Sequence, residues 1–145
     1  LLKGKPVWLW NLVDLERIKW EGPDALTPGR HTVEFDFKYD GLGAGTLAFN
    51  NFSGLGRPGT GTLKIDGKVV DTKPMPRTLP MTLQWDESFD IGSDTLTGVN
   101  EADYKPPFPL TAKLNKLTIR IDRPQLSPED IKKLEAAMRE KAKAD

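Results

Sequence analysis

The chain has 145 residues, 37% hydrophobic and 29% charged, with 21 Lys and Arg set against 21 Asp and Glu. That length suits one domain with one core, and the mixture is that of a folded chain. Zero net charge argues against a duplex nucleic-acid binder, which needs surplus cations to displace counterions. The absence of Cys and the single His, His31, remove disulfides, thiolate nucleophiles, Cys-ligated zinc and His-based metal clusters.

The chain opens Leu-Leu-Lys without an initiator Met and reads as a piece of a larger protein. No apolar run reaches the roughly 18 residues of a membrane span, so no membrane partner is expected. Residues 6–12, Pro-Val-Trp-Leu-Trp-Asn-Leu, predict a strand. Trp8 and Trp10 stand two apart and therefore share one sheet face. Residues 15–20 alternate imperfectly and predict a second strand, ended by Gly22-Pro23. Residues 26–30, Leu-Thr-Pro-Gly-Arg, predict a turn.

Residues 31–39 hold the clearest strand pattern. Val33, Phe35, Phe37 and Tyr39 alternate with Thr32, Glu34, Asp36 and Lys38, which predicts one buried face and one wet face. Residues 40–61 carry seven glycines and predict a long loop or a pair of glycine-broken strands. Within them, Gly41-Leu-Gly-Ala-Gly45 opens no helix, so it reads as a turn and not as a phosphate cradle.

Residues 62–72 predict a hairpin turning at Asp66-Gly67, with Pro74 and Pro76 ending it. Residues 79–85 predict an edge strand because of Pro80. A short strand is expected at 88–91, an irregular loop at 95–109, and a final strand over 110–122 carrying Leu114, Leu117, Ile119 and Ile121. Ser127-Pro-Glu-Asp starts a helix at about 128–143. Ser127 can cap it, Pro128 fits the first helical position, and two acids face the positive end of the dipole. Ile131, Leu134, Met138 and Ala142 make a narrow apolar stripe, that of a surface helix. His31, without a second His or any Cys, reads as a surface or hydrogen-bonded residue. The expected fold class is all-β: an antiparallel β-sandwich over residues 1–145 with a C-terminal helix.

Two segments carry a family likeness. One is Phe35-Asp-Phe-Lys-Tyr-Asp-Gly41 with Gly61-Thr-Leu-Lys-Ile-Asp-Gly-Lys68. The other runs from Leu83-Gln-Trp-Asp-Glu-Ser-Phe-Asp-Ile-Gly-Ser-Asp94 through Tyr104, Pro107-Phe108 and Lys113-Leu-Asn-Lys-Leu117. Together they resemble the C-terminal domain that follows the catalytic domain in bacterial arylsulfatases. They are also similar to the laminin G-like and concanavalin A-like jelly roll. The chain departs from that pattern at Leu110-Thr-Ala112, where a glycine is usual, and at Leu96-Thr-Gly-Val99.

The resemblance implies a jelly-roll accessory domain, with the sulfatase catalytic domain of the same parent chain as its partner and a periplasmic or secreted location. It also implies that the parent uses a formylglycine and a divalent cation. The formylglycine arises from a Cys/Ser-x-Pro-x-Arg motif that this chain lacks; ahead of Met75-Pro-Arg77 the precursor position, four residues before Arg77, holds Lys73. The chain is therefore expected to be non-catalytic and to hold no cofactor of that reaction.

Two constellations remain as candidate sites. Asp86, Asp90 and Asp94, with Glu87, offer hard oxygen ligands at short spacing for Ca²⁺. The commoner reading of such a segment is a solvated turn whose Asp side chains accept from local amides. Trp8, Trp10 and Trp85 are the candidate platform for a carbohydrate, sulfated or not. Tryptophans in strands, Trp20 included, more often serve a core or a domain interface.

Overall fold

The computed structural model describes residues 1–40, 58–78, 89–121 and 127–144. The strand predicted at 79–85, the Gly41–45 segment, Trp85, Asp86 and Glu87 lie outside the described residues. The elements are β1 (Val7–Leu12), β2 (Glu16–Glu21), β3 (Val33–Tyr39), β4 (Gly59–Ile65), β5 (Lys68–Met75), β6 (Ser93–Asp94), β7 (Phe108–Pro109) and α1 (Pro128–Ala144). Strands pair as β1-β2, β3-β4-β5 and β6-β7. The chain divides into two compact units, one of Leu1–Phe37, Gly61–Lys73 and Leu83–Ile119, the other of Lys38–Thr60, Pro74–Thr82 and Arg120–Asp145.

β1 and β2 form an antiparallel ladder that sets Trp8 opposite Trp20, Trp10 opposite Ile18 and Leu9 opposite Lys19. The turn between them places Val13 and Asp14 at φ of 40° and 65°. Both angles lie in the left-handed region that a β-branched residue avoids. Asn11 holds the turn: its Oδ1 accepts from the Asp14 amide at 2.9 Å and its Nδ2 donates to Asp14 Oδ1 at 3.2 Å. The turn at Asp66-Gly67 (φ 50° and 78°) follows the mirror-image geometry that suits a two-residue hairpin, and here the sequence supplies the glycine it favours.

The Asp66 amide donates to Thr32 O at one end of the β3–β4 pair, and the Asp40 amide donates to Pro58 O at the other. As one strand ascends the other descends, so β3 and β4 are antiparallel. β5 runs on through Pro74 to Met75, past the expected stop. It is an edge strand, where a missing N–H is tolerated.

The core of the first unit forms where the even-numbered face of the β1–β2 hairpin meets β3 and β4. Trp20 and Leu63 are fully buried, and Leu12 is nearly so. Trp8 stacks on Phe35 with centroids 4.3 Å apart, while Trp20 meets the same ring edge-on at 5.0 Å. The Trp20 indole N–H donates to Gly61 O at 2.9 Å. Gly61 is required by close approach: a Cβ there would lie 2.6 Å from both Phe35 and Trp20 ring carbons. Burying an indole removes roughly 200 Å² from water, worth about 5 kcal/mol at 25 cal/mol per Å². Exposed ion pairs such as Lys64–Asp36 are screened by solvent and add little, so aromatic packing dominates.

Three expectations are corrected. The apolar side of β3 is only partly covered: Phe35 and Tyr39 are half-buried, but Val33 and Phe37 are 47% and 39% exposed. A single strand's alternation cannot show whether an opposing layer covers all of its length. The strand expected at 88–91 is not formed over residues 89–91. There Gly92 takes φ 83° and turns the chain, and pairing begins only at Ser93. The final strand expected over 110–122 is not formed over residues 110–121: the Leu110 amide still donates to Gly92 O at 2.8 Å, and residues 111–121 have no strand partner among the described residues. An alternating pattern becomes a strand only when a neighbour completes its ladder.

In the second unit, α1 begins with the Ile131 amide donating to Ser127 O at 3.0 Å, which puts Ser127 at the cap position. Glu129 and Lys133 pair one turn apart at 3.1 Å. The described strands form antiparallel sheets; neither the helix nor any other described element crosses between parallel strands.

Candidate functional site

The odd-numbered face of the β1–β2 hairpin meets the segment 98–110. Asn11 Nδ2 donates to Val99 O at 2.9 Å, and Lys19 Nζ lies 2.7 Å from Asp103 Oδ2. Lys19, with help from the Asn100 amide, holds the Asp103 carboxyl below its usual range. Tyr104 is the hub of this segment. Its hydroxyl donates to Asp94 Oδ2 and accepts from the Val99 amide, and its ring stacks on Phe108 at 4.5 Å. Burial, followed by the Asp94 carboxylate, pushes the Tyr104 phenol above its ordinary value. The short β6–β7 ladder sets Asp94 opposite Phe108.

An open groove of about 970 Å³ lies between the hairpin tip and this segment. Among the described residues, Asp14, Asp90, Asp94 and Glu101 line it together with the cationic Arg17, and Phe108 forms part of its wall. Arg17 pairs with Asp14. The negative balance disfavours an anionic ligand and suits a neutral or cationic one.

Each candidate residue can be placed against this geometry. Asp90 Oδ2 accepts from the Thr95 amide at 2.8 Å and the Thr95 hydroxyl at 2.6 Å, a local turn bond of the kind expected for Asp beside Gly. Asp94 is engaged by Tyr104. Among the described residues no group of three His, Cys, Asp or Glu could hold a metal ion. Asp90 and Asp94 thus accept from local donors, while Asp86 and Glu87, the other members of the candidate Ca²⁺ set, lie outside the described residues.

Comparison with protein families, with curated proteins and with solved structures gives no match.

Trp8 and Trp10 do share a face, on the side of the hairpin that holds Trp20. Trp8 is 47% exposed but gives one side of its ring to Phe35, and Trp10 is half-buried. The structure thus brings Trp8 into the packing between hairpin and sheet, while Asp90 and Asp94 belong to the groove with Tyr104 and Phe108. Sequence reasoning did not assign roles to Asn11, Arg17, Tyr104 or Phe108. Only Tyr104 and Phe108 carried a signal, as part of the family likeness.

Proposed function

We propose that the chain is a non-catalytic accessory domain of an arylsulfatase-type enzyme, a jelly-roll sandwich that packs against the catalytic domain of the same parent chain. The resemblance of residues 83–94 and 113–117 to such domains supports the assignment. One observation carries the packing role. The unpaired segment 113–121 holds Leu114, Leu117 and Ile119 out to solvent at 48%, 51% and 64% exposure. Several apolar side chains held out to solvent along one segment suit a surface that a partner covers.

A hydrophobic dye tests this reading. The purified chain should enhance its fluorescence, and the double substitution Leu117→Lys, Ile119→Lys should remove most of the signal while circular dichroism stays unchanged. The same sample should release no product from an aryl sulfate. Turnover by the purified chain overturns the reading, as does dye binding indifferent to the double substitution.

A second reading, a carbohydrate-binding module, is favoured by the groove with Phe108 in its wall. Its charge selects uncharged over sulfated glycans. Calorimetry with a neutral oligosaccharide and its sulfated counterpart separates the two, and heat from the sulfated ligand alone contradicts it.

A further inference from the structure

We propose that His31 is a pH-operated latch, fastening residues 27–30 to the β4–β5 turn only while both of its ring nitrogens carry protons. The ring sits between two groups that can only accept. Nδ1 is 2.7 Å from Asp66 Oδ2, and Nε2 is 2.8 Å from the Thr27 carbonyl oxygen. A neutral imidazole has one N–H and one lone pair. It can serve Asp66 or Thr27, and whichever it leaves then faces a lone pair. The Thr27 hydroxyl, the alternative donor to Nε2, stands 3.5 Å away, too far to compensate. Only the imidazolium satisfies both neighbours.

The Asp66 side of the latch is rigid. Asp66 Oδ1 accepts from the Thr32 amide at 2.8 Å, and the Asp66 amide donates to Thr32 O at 2.8 Å. On the other side, the Leu26 amide donates to Gly4 O at 3.0 Å. Leu26 and Thr32 are therefore pinned without help from the imidazole, and residues 27–31 span the gap between them. Loss of the ring's second proton frees that span and leaves its two ends fixed. The change is a local opening rather than unfolding.

Among the described residues, few charged groups stand near the ring. Asp66 meets it directly, Lys68 at the start of β5 acts on Asp66, and Arg30 is its neighbour in sequence. The Asp66 hydrogen bond, then the Thr27 carbonyl, hold His31 above its ordinary value of 6.5, against a smaller opposing effect of burial. His31 in turn helps hold Asp66 below the usual carboxylate range. A raised folded-state value means that the latch is fully closed below the ordinary His value and opens as pH rises through the raised one. Its acid limit is the lowered value of Asp66. The device closes in mildly acidic surroundings and opens in alkaline ones.

His31 is the only histidine of the 145 residues, so its ring Cε1–H gives one resolved resonance. The expected titration midpoint lies above 6.5, and Asp66→Asn moves it down. In ¹⁵N-labelled protein, the heteronuclear NOE of Gly29 and Arg30 should fall between about pH 5.5 and about pH 8.5, following the His31 titration. In His31→Gln those amides should show one value at both pH values, and this readout stands even where Asp66→Asn fails to fold. A midpoint at or below the ordinary value, or Gly29 and Arg30 amides equally ordered across the titration, overturns the proposal.

Discussion

Trp8 and Trp20 face each other across the β1–β2 ladder, and a single ring from another strand, Phe35, touches both. Gly61 makes room for this contact. Gly61→Ala should therefore destabilise the chain by about 1–3 kcal/mol, the usual cost of forcing a methyl into a packed core. Urea melts followed by tryptophan fluorescence should show a lower midpoint with an unchanged slope. A wild-type midpoint would mean that the rings do not close over this residue.

The turn after β1 stores strain that its sequence does not need. Val13 holds φ 40° with a β-branched side chain. Val13→Asn should stabilise by about 1 kcal/mol, since Asn tolerates that conformation. Asn11→Ala should cost about the same, because it removes the acceptor of the Asp14 amide and the bond to Val99 O. Thermal melts of the two single variants, with shifts of opposite sign, check both.

Tyr104 should ionise late. The chain has two tyrosines, so Tyr39→Phe leaves the ultraviolet phenolate signal to Tyr104 alone. Its midpoint should lie above the ordinary tyrosine value, because burial and Asp94 oppose the anion. A raised folded-state value favours the folded form up to the ordinary value, and this contribution is lost as pH rises through the raised one. Tyr104→Phe should abolish that loss and cost about 1–2 kcal/mol at neutral pH, since it strands Asp94 and the Val99 amide.

Asp103 sets an acid limit. Lys19 holds its carboxyl low, so its contribution to stability is present above the ordinary carboxylate value and disappears as pH falls through the lowered one. Asp103→Asn should make stability less steep in acid, as read from urea midpoints at a series of pH values. An unaltered slope would show that Lys19 and Asp103 do not pair in solution.

The parts of the fold that could be read from sequence are those set by local chemistry. Aromatic and β-branched residues predicted β1, alternation predicted β3, and Asp66-Gly67 predicted the β4–β5 turn, because each signal lies within a few neighbouring residues. The shared face of Trp8 and Trp10 followed from the same period. Residues 110–121 misled for the converse reason: Leu117, Ile119 and Ile121 alternate as a strand should, but pairing depends on a neighbour that no local pattern encodes. The same holds for the groove. Asp90 and Asp94 stood out as acids, but their engagement by Thr95 and Tyr104, and the company of Arg17 and Asp14, arise from how the hairpin tip and the 98–110 segment meet.

The β1–β2 hairpin presents aromatic rings on one side and Leu9, Asn11 and Lys19 on the other, and both sides have neighbours. A slip of one residue in its pairing would exchange the two sets, driving an amide and an ammonium into the space meant for indoles. One buried surface is already enough to hold a ribbon in register. This one is keyed from above and below, so an error in alignment cannot be tolerated by half.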